Sequence, residues 1–142
     1  MSGWLLDTNV VSELRRPRPS RKVIEFLEAV PVSKLFISVV TFAEIRNGID
    51  LTPDPARRSH ILHWLDQELR PMFRGRVLEL NEDVMLNWIH IVDGGKKHRH
   101  TFSYPDVLIA AIAAHYDLTI ATRNVGDFDL TGVAVFNPWI GS

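Results

Sequence analysis

The chain contains no cysteine, and that absence removes disulfides, thiolate zinc sites and a cysteine nucleophile together. No apolar run approaches the roughly 18 residues that cross a bilayer. The N-terminus lacks a signal peptide's order of charge, apolar stretch and small-residue cleavage site. A cytoplasmic location without membrane contact is therefore expected. Neither sign of charge prevails: the net charge is −1, so bulk electrostatics do not announce a nucleic-acid binder. There is no internal repeat, low-complexity segment or linker either. The 142 residues, 46% hydrophobic and 23% charged, are expected to form one globular domain over 1–142 with a substantial core.

What charge there is comes in groups. Arg15, Arg16, Arg18, Arg21 and Lys22 crowd one stretch, Arg74 and Arg76 flank Gly75, and Lys96, Lys97, His98, Arg99 and His100 form a third. Such runs are solvated surface unless the fold carries them to a site.

The hydrophobic pattern alternates between strand and helix. GWLL at 3–6 reads as a short strand, Asp7-Thr8-Asn9 as cap chemistry, and 9–15 as a helix stopped by Pro17. A second helix spans about 20–30. LFIS at 35–38 is the next strand, and Ser38 or Thr41 caps the helix carrying VVTFAEIRNGI. A long amphipathic helix from about 56 to 70 is expected to stop before Pro71; Ile61, Trp64, Leu65 and Phe73 read mostly as core, with a surface for another chain as the alternative. RVLEL at 76–80 is a strand. Asn81 caps a helix with Val84, Met85, Trp88, Ile89 and Val92 inward, and Gly94-Gly95 with the basic group reads as a loop. Pro105 opens the most apolar helix, VLIAAIAA. LTIAT at 118–122 and VAVF at 133–136 close the set. Strands alternating with helices imply an α/β domain, with a mostly parallel sheet of about five short strands flanked by helices.

In such sheets functional residues gather beyond the carboxyl ends of the strands. Asp7 lies there, and so do Thr122, Asn124 and Asp127. Glu44 sits among the apolar residues Phe42, Ala43 and Ile45, either as a boundary residue with its head in water or as a site residue. Asp106 heads an apolar helix, where the macrodipole alone favours an acid, commonly by about 0.3–1 kcal/mol. Each acid has a bland reading by itself. Together they mark apolar elements at points where the chain turns. Three carboxylates brought together without a cation would repel, and at least one would take up a proton. A hard divalent ion removes that difficulty. Oxygen-only ligands select Mg²⁺ or Mn²⁺ over zinc or copper, and Mg²⁺ keeps waters that can attack a phosphodiester.

These residues resemble a known family, the PIN-domain ribonucleases, in particular the VapC-type and FitB-like toxins of bacterial toxin–antitoxin pairs. LLDTNVVSEL at 5–14, ISVVTFAEIRNGI at 37–49, PDVLIAAIAAHYDLTIATRNVGDF at 105–128 and VAVFNPW at 133–139 carry the likeness. The resemblance implies a metal-dependent endoribonuclease that uses Mg²⁺ or Mn²⁺ on Asp7, Glu44 and Asp106. It places Asn124 where many relatives carry a fourth acid, a departure that leaves Asp127 as a substitute or as a loop acid facing water. Thr8, Asn9, Thr122 and Asn124 are then expected to orient the ligands. The resemblance further implies a homodimer held inactive by a cognate antitoxin, with DNA reached only through that partner. Lys96, Lys97 and Arg99, just before Asp106, and Arg15, after the first helix, are candidates for guiding RNA. Arg15, Arg16 and Arg18 could equally meet an acidic antitoxin surface.

Two other classes compete. A phosphatase with an aspartyl nucleophile would need a second Asp two residues after Asp7, which is Asn9 here, and a lysine motif that is absent. A non-catalytic RNA- or protein-binding module would not need all three acids. His60 and His63 stand i, i+3 on one helix, but without HExxH or a third ligand they make no metal site.

Overall fold

The computed structural model describes residues 3–141. Among these residues five strands form one sheet: β1 (Trp4–Leu6), β2 (Leu35–Ser38), β3 (Val77–Leu78), β4 (Thr119–Ala121) and β5 (Val135–Phe136). Their order is β3-β2-β1-β4-β5, and every pairing is parallel. The sheet is thus parallel throughout. Among the described residues seven helices accompany it: α1 (Thr8–Glu13), α2 (Arg21–Ala29), α3 (Val39–Asp50), α4 (Pro55–Trp64), α5 (Arg70–Met72), α6 (Glu82–Lys97) and α7 (Tyr104–Tyr116). None of them is long and apolar enough to cross a membrane.

The strands are apolar at successive positions because both faces of the sheet are covered. Leu6, Ile37 and Ala121 point to one cluster, shared with Val10, Val23 and Trp64. Leu5 and Ile120 point to the other, filled by Val84, Ile109, Ile112 and Phe128. Ile61, Trp64, Leu65 and Phe73 are all buried, as core. Gly3 sits where the chain enters β1 against the 34–36 segment; a Cβ there would stand 2.6 Å from the Lys34 carbonyl oxygen.

Three local expectations are corrected. The helix after residue 55 does not stop before Pro71. It widens into a π-helical turn over Leu65–Leu69 and runs on through α5, which contains Pro71. The wide turn lies where a proline ring would otherwise meet the carbonyl four residues back, and the missing N–H is tolerated in a first helical turn.

Gly94 and Gly95 are not a loop; α6 continues through them to Lys97. Gly95 is buried against Phe102, where a Cβ would stand 2.6 Å from the ring, so close packing selects glycine inside the helix. The inward face of α6 is also rotated from the expected one. Val84, Trp88 and Ile91 pack on the core, whereas Met85 and Ile89 are exposed. Asn87 Nδ2 takes part in that face by donating to the Ala111 carbonyl at 3.3 Å.

Candidate active site

β1 and β4 are neighbours, with Leu6 paired to Ala121. The next residue of each strand, Asp7 and Thr122, therefore leaves the sheet side by side, and the Asp7 N–H still donates to the Ala121 carbonyl at 2.9 Å. Asp7 is the N-cap of α1 and accepts from the Thr8 N–H at 2.8 Å through Oδ1. Its Oδ2 accepts from the Thr122 hydroxyl at 2.7 Å. Thr122 is wholly buried and Asp7 is 6% exposed. Thr122 Oγ1 in turn accepts from Asn9 Nδ2 at 3.3 Å and from the Asn124 N–H at 3.1 Å. Asn9 Oδ1 accepts from the Arg123 N–H at 3.2 Å, tying α1 to the end of β4.

Glu44 arrives from α3. Ser38 caps that helix by accepting from the Thr41 N–H at 3.2 Å. Thr41 and Glu44, one turn apart, then share a face towards α1. Thr8 Oγ1 donates to Glu44 Oε1 at 2.6 Å and lies 3.0 Å from Thr41 Oγ1. Asp106 stands in the first turn of α7. The N-cap, Ser103, makes no side-chain bond to the helix backbone and donates to Asp106 Oδ2 instead, at 2.6 Å. This acid is oriented by a hydroxyl and is not serving as a cap.

Three of the acids are shifted upward, first by burial and then by neighbouring charge. Burial pushes the Asp7 carboxyl above its ordinary range; the Thr122 and Thr8 hydrogen bonds oppose this, and the charges of Asp106 and Asp127 add to it. Glu44 is raised by burial and by Asp7 and Asp106, against its Thr8 bond. Asp106 is raised by burial and by Asp127, against its Ser103 bond. Asp127 itself is exposed, on the 3₁₀ turn Val125–Phe128 that begins one residue after Asn124. That turn lifts its charge towards Asp7 and Asp106.

As the side chains stand, no three Asp, Glu or His residues among those described converge closely enough to hold an ion. Thr8 draws Glu44 one way and Ser103 draws Asp106 another. The donor set is nevertheless all oxygen, partly buried and mutually repelling, which is the chemistry of a Mg²⁺ or Mn²⁺ site.

Glu44 stands on the border between two grooves. One, of about 560 Å³, is apolar, running past Val39, Ala43 and Leu108 to Tyr104, which is 71% exposed. The other, of about 220 Å³, is bordered by Thr8, Arg15, Arg57, Ile61 and Trp64. Lys96, Lys97 and Arg99 border neither. The lysines are exposed in the last turn of α6, where cations suit the helix dipole.

Of the two residues expected as the cap of α3, Ser38 takes that role; sequence reasoning missed Thr41's place beside Thr8 and Glu44, and Ser103 altogether. Their signal was a hydroxyl three residues before an acid. It also missed Glu13, 6% exposed, which accepts from the Ser20 N–H at 2.8 Å and pairs with Arg16 at 3.4 Å.

Fold and site together define a class: a small, wholly parallel α/β protein with an acidic, all-oxygen site over the carboxyl ends of its central strands. The sequence pattern of the PIN domain matches residues 4–132, and the chain belongs to the PIN-domain family. Toxin FitB of Neisseria gonorrhoeae is 38% identical over 135 residues, covering 95% of this chain and 97% of its own. VapC ribonuclease Y4jK of Sinorhizobium fredii is 33% identical over 135 residues, covering 95% and 96%. The crystal structure of FitAcB from Neisseria gonorrhoeae superposes with a TM-score of 0.89 at 38% identity, over 96% of this chain and 98% of that one.

Proposed function

We propose that this protein is a divalent-cation-dependent endoribonuclease and the toxin of a toxin–antitoxin pair. The observation that carries the proposal is the cluster of Asp7, Glu44, Asp106 and Asp127. Burial, and after it the charges of neighbouring acids, raise the carboxyls of Asp7, Glu44 and Asp106 at the carboxyl edge of the sheet, with no basic partner beside them among the described residues. The names of FitB as a toxin and Y4jK as a ribonuclease point the same way.

Asp7, Glu44 and Asp106 would hold Mg²⁺ or Mn²⁺, with Asp127, in place of Asn124, as the fourth acid. The ion would supply Lewis-acid stabilisation of charge on a phosphoryl oxygen and lower the pKa of an attacking water. Asp7, nearly sealed from solvent and held at both oxygens, acts as the fixed charge of the site. Thr8 and Thr122 set its orientation, and Asn9 locks Thr122 to α1. Glu44 and Asp106, each half-buried and held by one hydroxyl, are the carboxylates that meet solvent and substrate. Lys96 and Lys97, in the last turn of α6, and Arg99, on the connection leading to α7, would guide the RNA backbone. The protein would act as a homodimer in the cytoplasm, restrained by its antitoxin and reaching DNA only through it.

The test is cleavage of total bacterial RNA by purified protein free of antitoxin. Wild type is compared with Asp7→Asn, each in Mg²⁺, Mn²⁺ and EDTA. Metal-dependent cuts made by wild type alone are expected. Folded protein that cuts nothing in either metal would turn the reading to a module that binds RNA or protein without catalysis.

A further inference from the structure

On the α1–α4 side of Glu44, positive charge collects without being neutralised. α1 ends at Glu13, and the turn before Pro17 swings Arg15 across to α4, where its guanidinium lies 6.0 Å from the centre of the Trp64 ring. Arg57, Ile61 and Trp64 follow one another at i, i+4, i+7 on α4, so Arg57 shares that face. Both arginines border the groove that Thr8 and Glu44 also border, and both border its continuation past Arg16 and Arg18. Among the described residues Arg16 pairs with Glu13, but Arg15, Arg18 and Arg57 have no carboxylate partner. Burial first, and then the charges of Arg57 and Arg16, lower the Arg15 pKa from its ordinary value. Like charges gathered at a concave surface without a counter-ion are favourable only when an anion joins them.

We propose that Arg15 and Arg57 form a binding site for a phosphate of the RNA backbone next to the scissile one. The inference rests on the ribonuclease reading above. An RNA strand whose scissile phosphate lies at the acids must leave the site in two directions. The groove towards Tyr104 offers apolar surface. The groove towards Arg15 offers two guanidinium forks, whose planar donors match phosphate oxygens in pairs. Its continuation past Arg18 leaves room for the following nucleotide. An acidic protein segment is the competing occupant. The shared border with Thr8 and Glu44 favours RNA, because it makes the groove continuous with the place where the substrate reacts.

Binding is measured by fluorescence anisotropy with two labelled oligoribonucleotides of different sequence, in the full chain carrying Asp7→Asn so that hydrolysis does not interfere. Arg15→Ala and Arg57→Ala are each expected to weaken binding on the order of tenfold, the loss of one charge-assisted contact. The loss should be equal for both sequences, and the salt dependence should flatten by about 0.7 in logarithmic slope per arginine. Arg57→Lys should keep the slope, and the melting temperature of Arg57→Ala should be unchanged because Arg57 is exposed. Unchanged affinity and slope would overturn the proposal. So would a loss of binding to an oligoglutamate peptide with RNA binding intact, which would assign the groove to a protein partner. If the variants lose RNA binding but the unmodified chain cuts no RNA, the phosphate site stands and the nuclease reading falls.

Discussion

Thr122→Val isolates the group on which the site's geometry depends most. The side chain is wholly buried, and valine keeps its shape while deleting the hydroxyl. That hydroxyl donates to the Asp7 carboxylate at 2.7 Å and accepts from Asn9 and the Asn124 N–H. A hydrogen bond to an ionised group contributes about 1.5–3 kcal/mol. Asn124 is exposed, so its freed N–H turns to water at little cost. Asp7 keeps only the Thr8 N–H at full strength, because Asn9 Nδ2 lies 3.5 Å from Oδ2. The expected loss at neutral pH without metal is therefore about 2–3 kcal/mol, or roughly 8–12 °C in Tm for a chain of this size. The deficit should shrink towards about 1 kcal/mol in acid, because a protonated Asp7 loses only a neutral hydrogen bond. Urea unfolding in EDTA at neutral and acid pH measures both numbers, with Thr122→Ser as the variant that restores them. A deficit that does not change with pH would refute the reasoning, since it would show Thr122 acting through packing alone.

Asp7→Asn should abolish cleavage yet leave the metal-free protein as stable or more stable, as read by its Tm in EDTA; a clearly lower Tm would count against a mutually repelling cluster. The pH dependence follows from the same charges. Asp7, Glu44 and Asp106 have folded pKa values raised above ordinary values of 3.8, 4.5 and 3.8, so between the unfolded and folded pKa the native state binds more protons. The stabilisation these groups give is fully present below the unfolded values and is lost as pH rises through the folded ones. Solvent screens the half-buried Glu44 and Asp106, so Asp7 should dominate that slope. Unfolding titrations in EDTA should show the effect and Asp7→Asn should flatten it; the full slope surviving in Asp7→Asn would deny Asp7 that role. The two glycines of α6 should respond oppositely. Gly94→Ala, with nothing near its Cβ, is expected to stabilise by about 0.5–1 kcal/mol, and Gly95→Ala, forced against Phe102 and the His100 carbonyl, to destabilise by about 1–3 kcal/mol. Lys96→Ala with Lys97→Ala should weaken RNA binding evenly across sequences and flatten its salt dependence; unchanged binding would leave these lysines to the helix end alone.

The central strands, and the places of Asp7 and Asp106 at element ends, were legible because apolar runs stop or start abruptly at polar residues, whereas Glu44, in the middle of α3, stood out only by its apolar neighbours. Asp7 ends one run, and Thr122 ends another. What was hidden depends on contacts between segments distant in the chain. Gly94-Gly95 reads as a loop until Phe102 folds back onto Gly95. Met85 and Ile89 read as inward because an apolar residue says nothing about which face of α6 meets α7. The roles of Thr41 and Ser103 were invisible for a related reason, since one hydroxyl among many acquires meaning only from the carboxylate it finds. Arg57 showed no pattern of its own, and its significance comes from where α1 delivers Arg15.

The pairing of β1 with β4 has a consequence for how errors in folding are handled. Leu6 opposite Ala121 makes Asp7 the neighbour of Thr122, and the two strands are only three residues long. A slip of one residue would turn Leu5 and Leu6 to the wrong faces. It would also strand a carboxylate in the interior without its hydroxyl donor, so the misaligned chain would carry an unsatisfied charge as well as a misplaced core. The same two residues thereby act as a checkpoint on alignment, and a molecule that passes it has already assembled the first part of the candidate site.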